Sequence, residues 1–421
     1  MRGASHRRPG TKDAPTMHPQ AATLWRGPLW SLALLLAGLS SLGPFAIDTY
    51  LPAFPGMAAD LPASAVQLQQ TLSAYLCGFA VMNLFHGALS DSLGRRPVVL
   101  VAMAVFTLAS VGCALSPSIG WLLFWRAVQG LSAGGGMVVG RAVIRDLFPP
   151  AQAQRVMSQV TIFFGLAPAV APLVGGWLFV HLGWPSVFWF LAAVGLTLCA
   201  VMAWQLPESL HASQRQPLRA GHLLRGYWQM GASARFMSLA LAGSLPFNGM
   251  FLYVLSAPVW LGELLQLAPT EFFWFFSLSV AGIMSGAWLS GRLAGRIRPA
   301  AQIRLGFVIM LGITCVNVLL SAVLPPHPGW ALWPVAVFSL GWSVMTPSVT
   351  LLLLDLAPER RGMASSVQSF VSAVMNALVA GVLAPLVMHS CLGLALASAG
   401  LLLGGLGAWA WARPRLPPGS L

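Results

Sequence analysis

Residues 87–97 read Gly87-Ala88-Leu89-Ser90-Asp91-Ser92-Leu93-Gly94-Arg95-Arg96-Pro97 and lie between two apolar runs, at 66–88 and 97–116. Each run is long enough to cross a hydrocarbon core about 30 Å thick as a helix, which takes about 20 residues. Gly94 permits a tight turn. Asp91 can cap a helix or bridge to a base where helices converge. Arg95 and Arg96 anchor the loop at an anionic inner face. A purely topogenic loop accounts for the arginine pair but not for Gly87, Asp91 and Gly94 at this spacing.

The same alternation of apolar run and basic loop extends over the whole chain. The 421 residues are 57% hydrophobic and 8% charged, where a soluble domain carries about 25% charged residues. The runs lack the period-2 alternation of a membrane β-barrel. Twelve of them have spanning length, at 30–54, 66–88, 97–116, 120–144, 156–180, 185–205, 236–260, 271–291, 303–324, 330–354, 362–387 and 391–412. Of the 23 Lys and Arg residues, all except Arg126 fall in alternate connections or the two ends. By the positive-inside rule those loops and both termini are cytoplasmic. The net charge of +13 is therefore a matter of membrane topology, and nucleic acid is not a partner. The five Cys residues stand on separate runs, without metal-ligand spacing, so no metal site is expected. Residues 1–28 are expected to form a disordered, uncleaved cytoplasmic tail, because the run after them is too long for a signal-peptide core.

Inside the spans charge is scarce. Residues 42–55 read LGPFAIDTYLPAFP and place Asp48 between Pro44 and Pro52. A carboxylate in such a segment costs a few kcal/mol or more. Pro52 has no N–H, so the Asp48 carbonyl loses its helical partner. That carbonyl is tolerated where it faces protein or a water-filled cavity. The site reads as a solvated pathway, and a structural kink with a neutral, hydrogen-bonded Asp is the alternative. Arg126 lies six residues into the fourth run and Asp48 seven residues from the exit of the first. At 1.5 Å per residue both sit about 9–10 Å below the outer surface. Pairing across a central cavity makes both tolerable.

The longest connection, near 207–234, separates six runs (29–206) from six (235–421). The halves echo each other. Leu89-Ser90-Asp91 matches Leu289-Ser290-Gly291, and Asp146-Leu147-Phe148-Pro149 matches Asp355-Leu356-Ala357-Pro358. Repeats of this kind are typical of transporters, with the substrate site between the halves.

Three motifs carry a family resemblance. Residues 87–97 resemble the loop 2–3 signature of the major facilitator superfamily. Arg126, Gln129, Gly130, Gly134, Gly136 and Gly140 resemble its fourth-helix signature for proton-coupled members, and the glycine pairs allow close helix contact. Pro168, Pro172, Gly175 and Gly176 resemble the fifth-helix motif of its antiporters, with Ala167 and Ala171 where Gly is usual. They also make a kinked helix suited to a gate. That motif, together with Ile47-Asp48-Thr49-Tyr50-Leu51-Pro52-Ala53, resembles the branch of bicyclomycin and chloramphenicol exporters. The resemblance implies an all-α membrane protein of twelve transmembrane helices in two six-helix halves. It further implies proton-coupled efflux of small, fairly apolar drugs across the bacterial inner membrane, without a cofactor. Asp48 and Arg126 would couple the proton. Gly87, Asp91, Gly94, Arg95, Arg96 and Asp146 would form a conformational latch.

Tyr50, Tyr75, Asn83, Gln129, Phe247, Asn248 and Phe251 are candidates to line the substrate cavity, although aromatic residues in such helices also face lipid or neighbours; Tyr253 is a further one. The partners are a small-molecule substrate, protons and the lipid bilayer, and the chain is expected to act as a monomer. Export of an endogenous metabolite and proton-coupled uptake are the alternatives. A membrane enzyme would need a catalytic cluster that the spans lack, and one acid on one half makes no channel selectivity ring.

Overall fold

The computed structural model describes residues 29–147, 150–210, 215, 220–293, 296–357 and 361–415. The amino-terminal tail lies outside them. Twelve long helices follow the apolar runs: α1 (Leu29–Asp48), α2 (Ala65–Leu93), α3 (Arg95–Ala114), α4 (Ile119–Leu147), α5 (Pro150–Leu182), α6 (Pro185–Gln205), α7 (Ala234–Leu255), α8 (Phe273–Leu293), α9 (Pro299–Val323), α10 (Pro328–Asp355), α11 (Arg361–Leu378) and α12 (Cys391–Ala412). Eleven described helices are long and apolar enough to cross a membrane, and α5 contributes the apolar stretch Ala167–Leu182. This is an all-α membrane fold.

Local sequence sets where the helices start and break. Ser64 caps α2 reciprocally with Gln67, its hydroxyl accepting from the Gln67 N–H and its own N–H donating to the Gln67 side chain. Proline occupies the first turn of α6, α9 and α10, where its missing N–H costs nothing. The first run, 30–54, was expected to lose a helical bond at Pro52. There α1 ends at Asp48, a 3₁₀ turn follows at Leu51–Ala53, and a short helix runs over Phe54–Asp60. Pro52 and Pro55 impose that break by withholding donors from the preceding turn. Likewise α7 is followed by a π-helical turn at Pro258–Leu264, and α11 continues through another at Val379–Leu383 into Ala384–Val387. The connection 207–234, expected as a plain linker, contains a helix at Ala220–Gly231.

In the first six helices α2 and α3 pack on α4, α3 on α6 and α1 on α5; in the last six α8 and α9 pack on α10 and α7 on α12. The α2–α4 contact is between backbones, since a Cβ on Gly130 would strike the Tyr75 main chain. The two sets meet along α2–α11 and α5–α8. Two tight approaches lie at the arginine-poor face. There a Cβ on Gly176 would come 2.6 Å from the Pro269 carbonyl, and one on Gly381 2.9 Å from the Ser73 hydroxyl.

Candidate functional site

The break after Asp48 builds the first part of the site. Tyr50 N–H donates to the Ile47 carbonyl at 3.2 Å, a 3₁₀ bond. The Ala46 carbonyl is thereby released from its usual i+4 donor. Arg126 Nη1, from α4, donates to that carbonyl at 3.0 Å and to Gln129 Oε1 at 2.5 Å. The guanidinium lies over the rings of Tyr50 and Tyr75, 4.6 and 4.4 Å from their centroids. Tyr50 Oη shares a 2.5 Å hydrogen bond with Thr71 Oγ1, and Tyr75 Oη donates to the Gly43 carbonyl. Gln129 Nε2 donates to Ser110 Oγ at 2.8 Å. One cation thus ties α1, α2, α3 and α4 together.

Arg126 is fully buried and Asp48 is 5% exposed. The expected pair between them is not formed. The arginine instead takes the carbonyl two residues before Asp48 and two aromatic faces. Its Nε and Nη2 have no hydrogen-bond partner. Among the described residues nothing hydrogen-bonds to the Asp48 carboxyl, which is the one buried acid there. Tyr75 lies within electrostatic reach of both groups.

The cavity candidates divide. Tyr50, Tyr75 and Gln129 are buried parts of the arginine clamp and face no open space. Asn83 is buried against α4, where a Cβ on Gly134 would lie 2.6 Å from its Oδ1. Phe247 and Phe251 are half-buried and stacked at 5.4 Å, with Trp342 from α10 4.9 Å from Phe247. Asn248 is buried; its Nδ2 donates to the Ser244 carbonyl, and its Oδ1 has no partner. Tyr253 accepts from Asn317 beside a small pocket between α7, α9 and α10. Sequence reading missed Trp342. Its signal is one indole in the small-residue stretch of α10, between Ser339 and Ser348.

On α5, two adjacent glycines touch different parts of the molecule. A Cβ on Gly175 would strike the Thr49 main chain, next to Asp48, and one on Gly176 would strike the Pro269–Thr270 backbone before α8. Pro168 and Pro172 lie inside the same helix.

At the arginine-rich face, Arg95 Nη1 donates to Asp91 and, at 2.7 Å, to Ser90 Oγ, while its Nε donates to Asp146 Oδ2 at 3.0 Å. Asp91, Arg95 and Asp146 are thus brought together. Glu208, two residues past Leu206 at the close of α6, was not foreseen. Its carboxylate accepts from the main-chain N–H groups of Arg95 and Arg96 at 2.9 and 3.3 Å, and so caps α3, whose own N-cap is Gly94 with φ +106°. Ser209 donates to Asp146, and Arg96 Nη2 to the Ala203 carbonyl. Gly87 has ordinary space, the nearest atom to a Cβ there being 3.7 Å away. Tyr227, on the Ala220–Gly231 helix, donates to the Leu84 carbonyl at 2.8 Å. Burial pushes its phenol above the ordinary tyrosine value, so it stays a protonated donor.

Comparison with known proteins supplies an independent line. A sequence profile described as Major Facilitator Superfamily matches residues 33–380. The chain is 31% identical over 359 residues to the uncharacterized MFS-type transporter YdgK of Bacillus subtilis, covering 85% of this chain and 88% of that one. It is 30% identical over 355 residues to the bicyclomycin resistance protein homolog of Haemophilus influenzae, covering 82% and 88%. It is 29% identical over 387 residues to multidrug resistance protein D of Escherichia coli, covering 89% and 94%. Among solved structures, a peptide transporter in complex with alafosfalin superposes with a TM-score of 0.75 at 17% identity, over 95% of this chain and 99% of that one. That last likeness bears on the fold alone.

Proposed function

This chain belongs to the major facilitator superfamily and is a multi-pass membrane transporter, not an enzyme, and we propose that it exports small, fairly apolar drugs in exchange for protons. The relatives named for bicyclomycin and multidrug resistance support the substrate class. The single observation that carries the proton is Asp48, the one buried acid among the described residues, set at a backbone break and lacking a bonded partner. An unpaired carboxylate there is costly, and a proton removes its charge. Arg126 is the fixed cation of the site. It holds the α1 break open through the Ala46 carbonyl, so the position of Asp48 depends on it. Both termini are cytoplasmic in this reading, because the arginine-rich face is the inner one.

The closed contacts at the arginine-poor face correspond to a state shut toward the outside. Gly175 and Gly176 would link the proton to the gate. One glycine rests on the chain beside Asp48, the other on the opposite half, so rocking of the halves and rearrangement at Asp48 move α5 together. The half-buried Phe247, Phe251 and Trp342 offer aromatic surface for an apolar substrate, and the free Oδ1 of Asn248 offers a polar contact. At the inner face, Asp91, Arg95, Asp146 and Glu208 would form the latch.

Drug uptake into proteoliposomes holding the wild-type chain, driven by an imposed pH gradient, tests the reading. Asp48→Asn should abolish uphill transport while the protein remains folded, since no bond to the carboxyl is lost. Retained uphill transport in that variant would sink the assignment of Asp48. Movement of an endogenous metabolite but of no drug would replace the substrate class.

A further inference from the structure

The helix Ala220–Gly231 presents two faces that the transport cycle leaves unexplained. Gly226, Tyr227 and Met230 turn toward the protein, with Tyr227 bonded to α2 and the helix packed on α7 and α11. At about 100° per residue, Leu224, Trp228, Gly221 and Arg225 follow one another around the opposite side. Leu224 is 58% exposed and Trp228 78%. A tryptophan and a leucine held in water beside an exposed arginine form a costly surface unless something covers them.

The height of the helix identifies the cover. α2 has 29 residues and is therefore about 43 Å long, against a hydrocarbon core of about 30 Å. Leu84, which carries the Tyr227 bond, lies about 28 Å along it from Ala65. The helix therefore hangs where the hydrocarbon ends on the arginine-rich side. Trp204, at the end of α6 on the same side, is 84% exposed. From Ser209 to Gly262 the chain has no acid, while Arg215, Arg219, Arg225 and Arg235 fall within it; Arg215, Arg225 and Arg235 are exposed. Indole rings with basic neighbours at that depth match an anionic headgroup layer in charge and polarity.

We infer that the Ala220–Gly231 helix docks on the anionic lipid of the inner leaflet, with Leu224 and Trp228 seated among the headgroups and Arg225 on their phosphates. The helix then forms a lipid-seated strap that is bonded to α2 and packed on α7 and α11. Lipid composition bears on the relation between the halves through it.

A fluorescent label at position 228 tests this in the full chain, reconstituted in phosphatidylcholine vesicles with or without phosphatidylglycerol. The label is attached in the Trp228→Cys variant with the five native cysteines replaced. A nitroxide near the lipid headgroup should quench the label, aqueous iodide should not, and phosphatidylglycerol should strengthen the lipid quenching. Arg225→Gln should lower the docked-to-undocked ratio about fivefold in the anionic vesicles, the equivalent of about 1 kcal/mol for one basic residue. Quenching by iodide alone would overturn the inference. Quenching by neither reagent would also overturn it, in favour of a protein occupant such as a second copy. The readout needs no transport, so it stands or falls separately from proton-coupled export.

Discussion

Gly175→Ala tests the link between the proton site and the outer gate. A Cβ at this position would lie 2.7 Å from the Thr49 carbonyl carbon and 2.9 Å from its Cα, and closer still to its oxygen. Carbon–carbon contact needs about 3.5 Å, so the two main chains must part by at least about 0.8 Å to clear the carbonyl carbon, and by more to clear its oxygen. Neither partner is a flexible side-chain tip that can turn aside. Overpacking of this kind costs about 1–3 kcal/mol. Withdrawal of α5 relieves it, but the withdrawal also lifts Gly176 from Pro269 and so loosens the contact between halves. If the cost falls on the outward-closed state alone, the balance shifts about 5- to 150-fold toward states with that face open. Electron–electron distance measurements between spin labels on the 51–53 turn and the 269–271 turn read this directly: the short-distance population should fall and a longer one should grow. Uphill transport should drop in parallel. Gly312→Ala is the control, with open space for its methyl. Wild-type distances and transport in Gly175→Ala would refute the joint between Asp48 and the gate.

Three further outcomes follow from other contacts. Arg126→Lys keeps the charge but cannot hold both the Ala46 carbonyl and Gln129 while lying over two rings; its transport should fall nearly as far as that of Arg126→Ala, and near-normal rates in the lysine variant would show that charge alone suffices. Asp91→Asn removes one of the two carboxylates on Arg95 and should slow transport yet leave drug affinity in detergent within a few fold; unaltered rates would remove the latch. Glu208→Ala uncovers two N–H groups at the start of α3 and should lower stability by about 1–2 kcal/mol, read as a lower melting temperature in detergent; an unchanged melting temperature would mean that water caps α3 equally well.

Much of this protein was legible in the order of its residues because a bilayer is a severe solvent. Every backbone polar group must be bonded within the span, so each apolar run of sufficient length becomes a helix. Charge outside the runs sets the expected orientation, and charge inside them is rare enough that Asp48 and Arg126 stand out. The break at Pro52 followed from one missing donor. The partners of these groups were not legible. The chain places Arg126 at the level of Asp48, but only the packed fold decides that its guanidinium goes to the Ala46 carbonyl and to the rings of Tyr50 and Tyr75. The 3₁₀ turn freed that acceptor, and a backbone bond shifted by one residue leaves no periodic trace. Glu208 carries no motif in the sequence, yet it caps a helix that begins 113 residues earlier. Gly175 and Gly176 read as part of a kinked gate helix, and the sequence did not say which main chains they touch. Spacing along a chain fixes which side chains share a helix face and a depth; which of them meet across helices depends on how the faces interlock, and that only the tertiary structure decides.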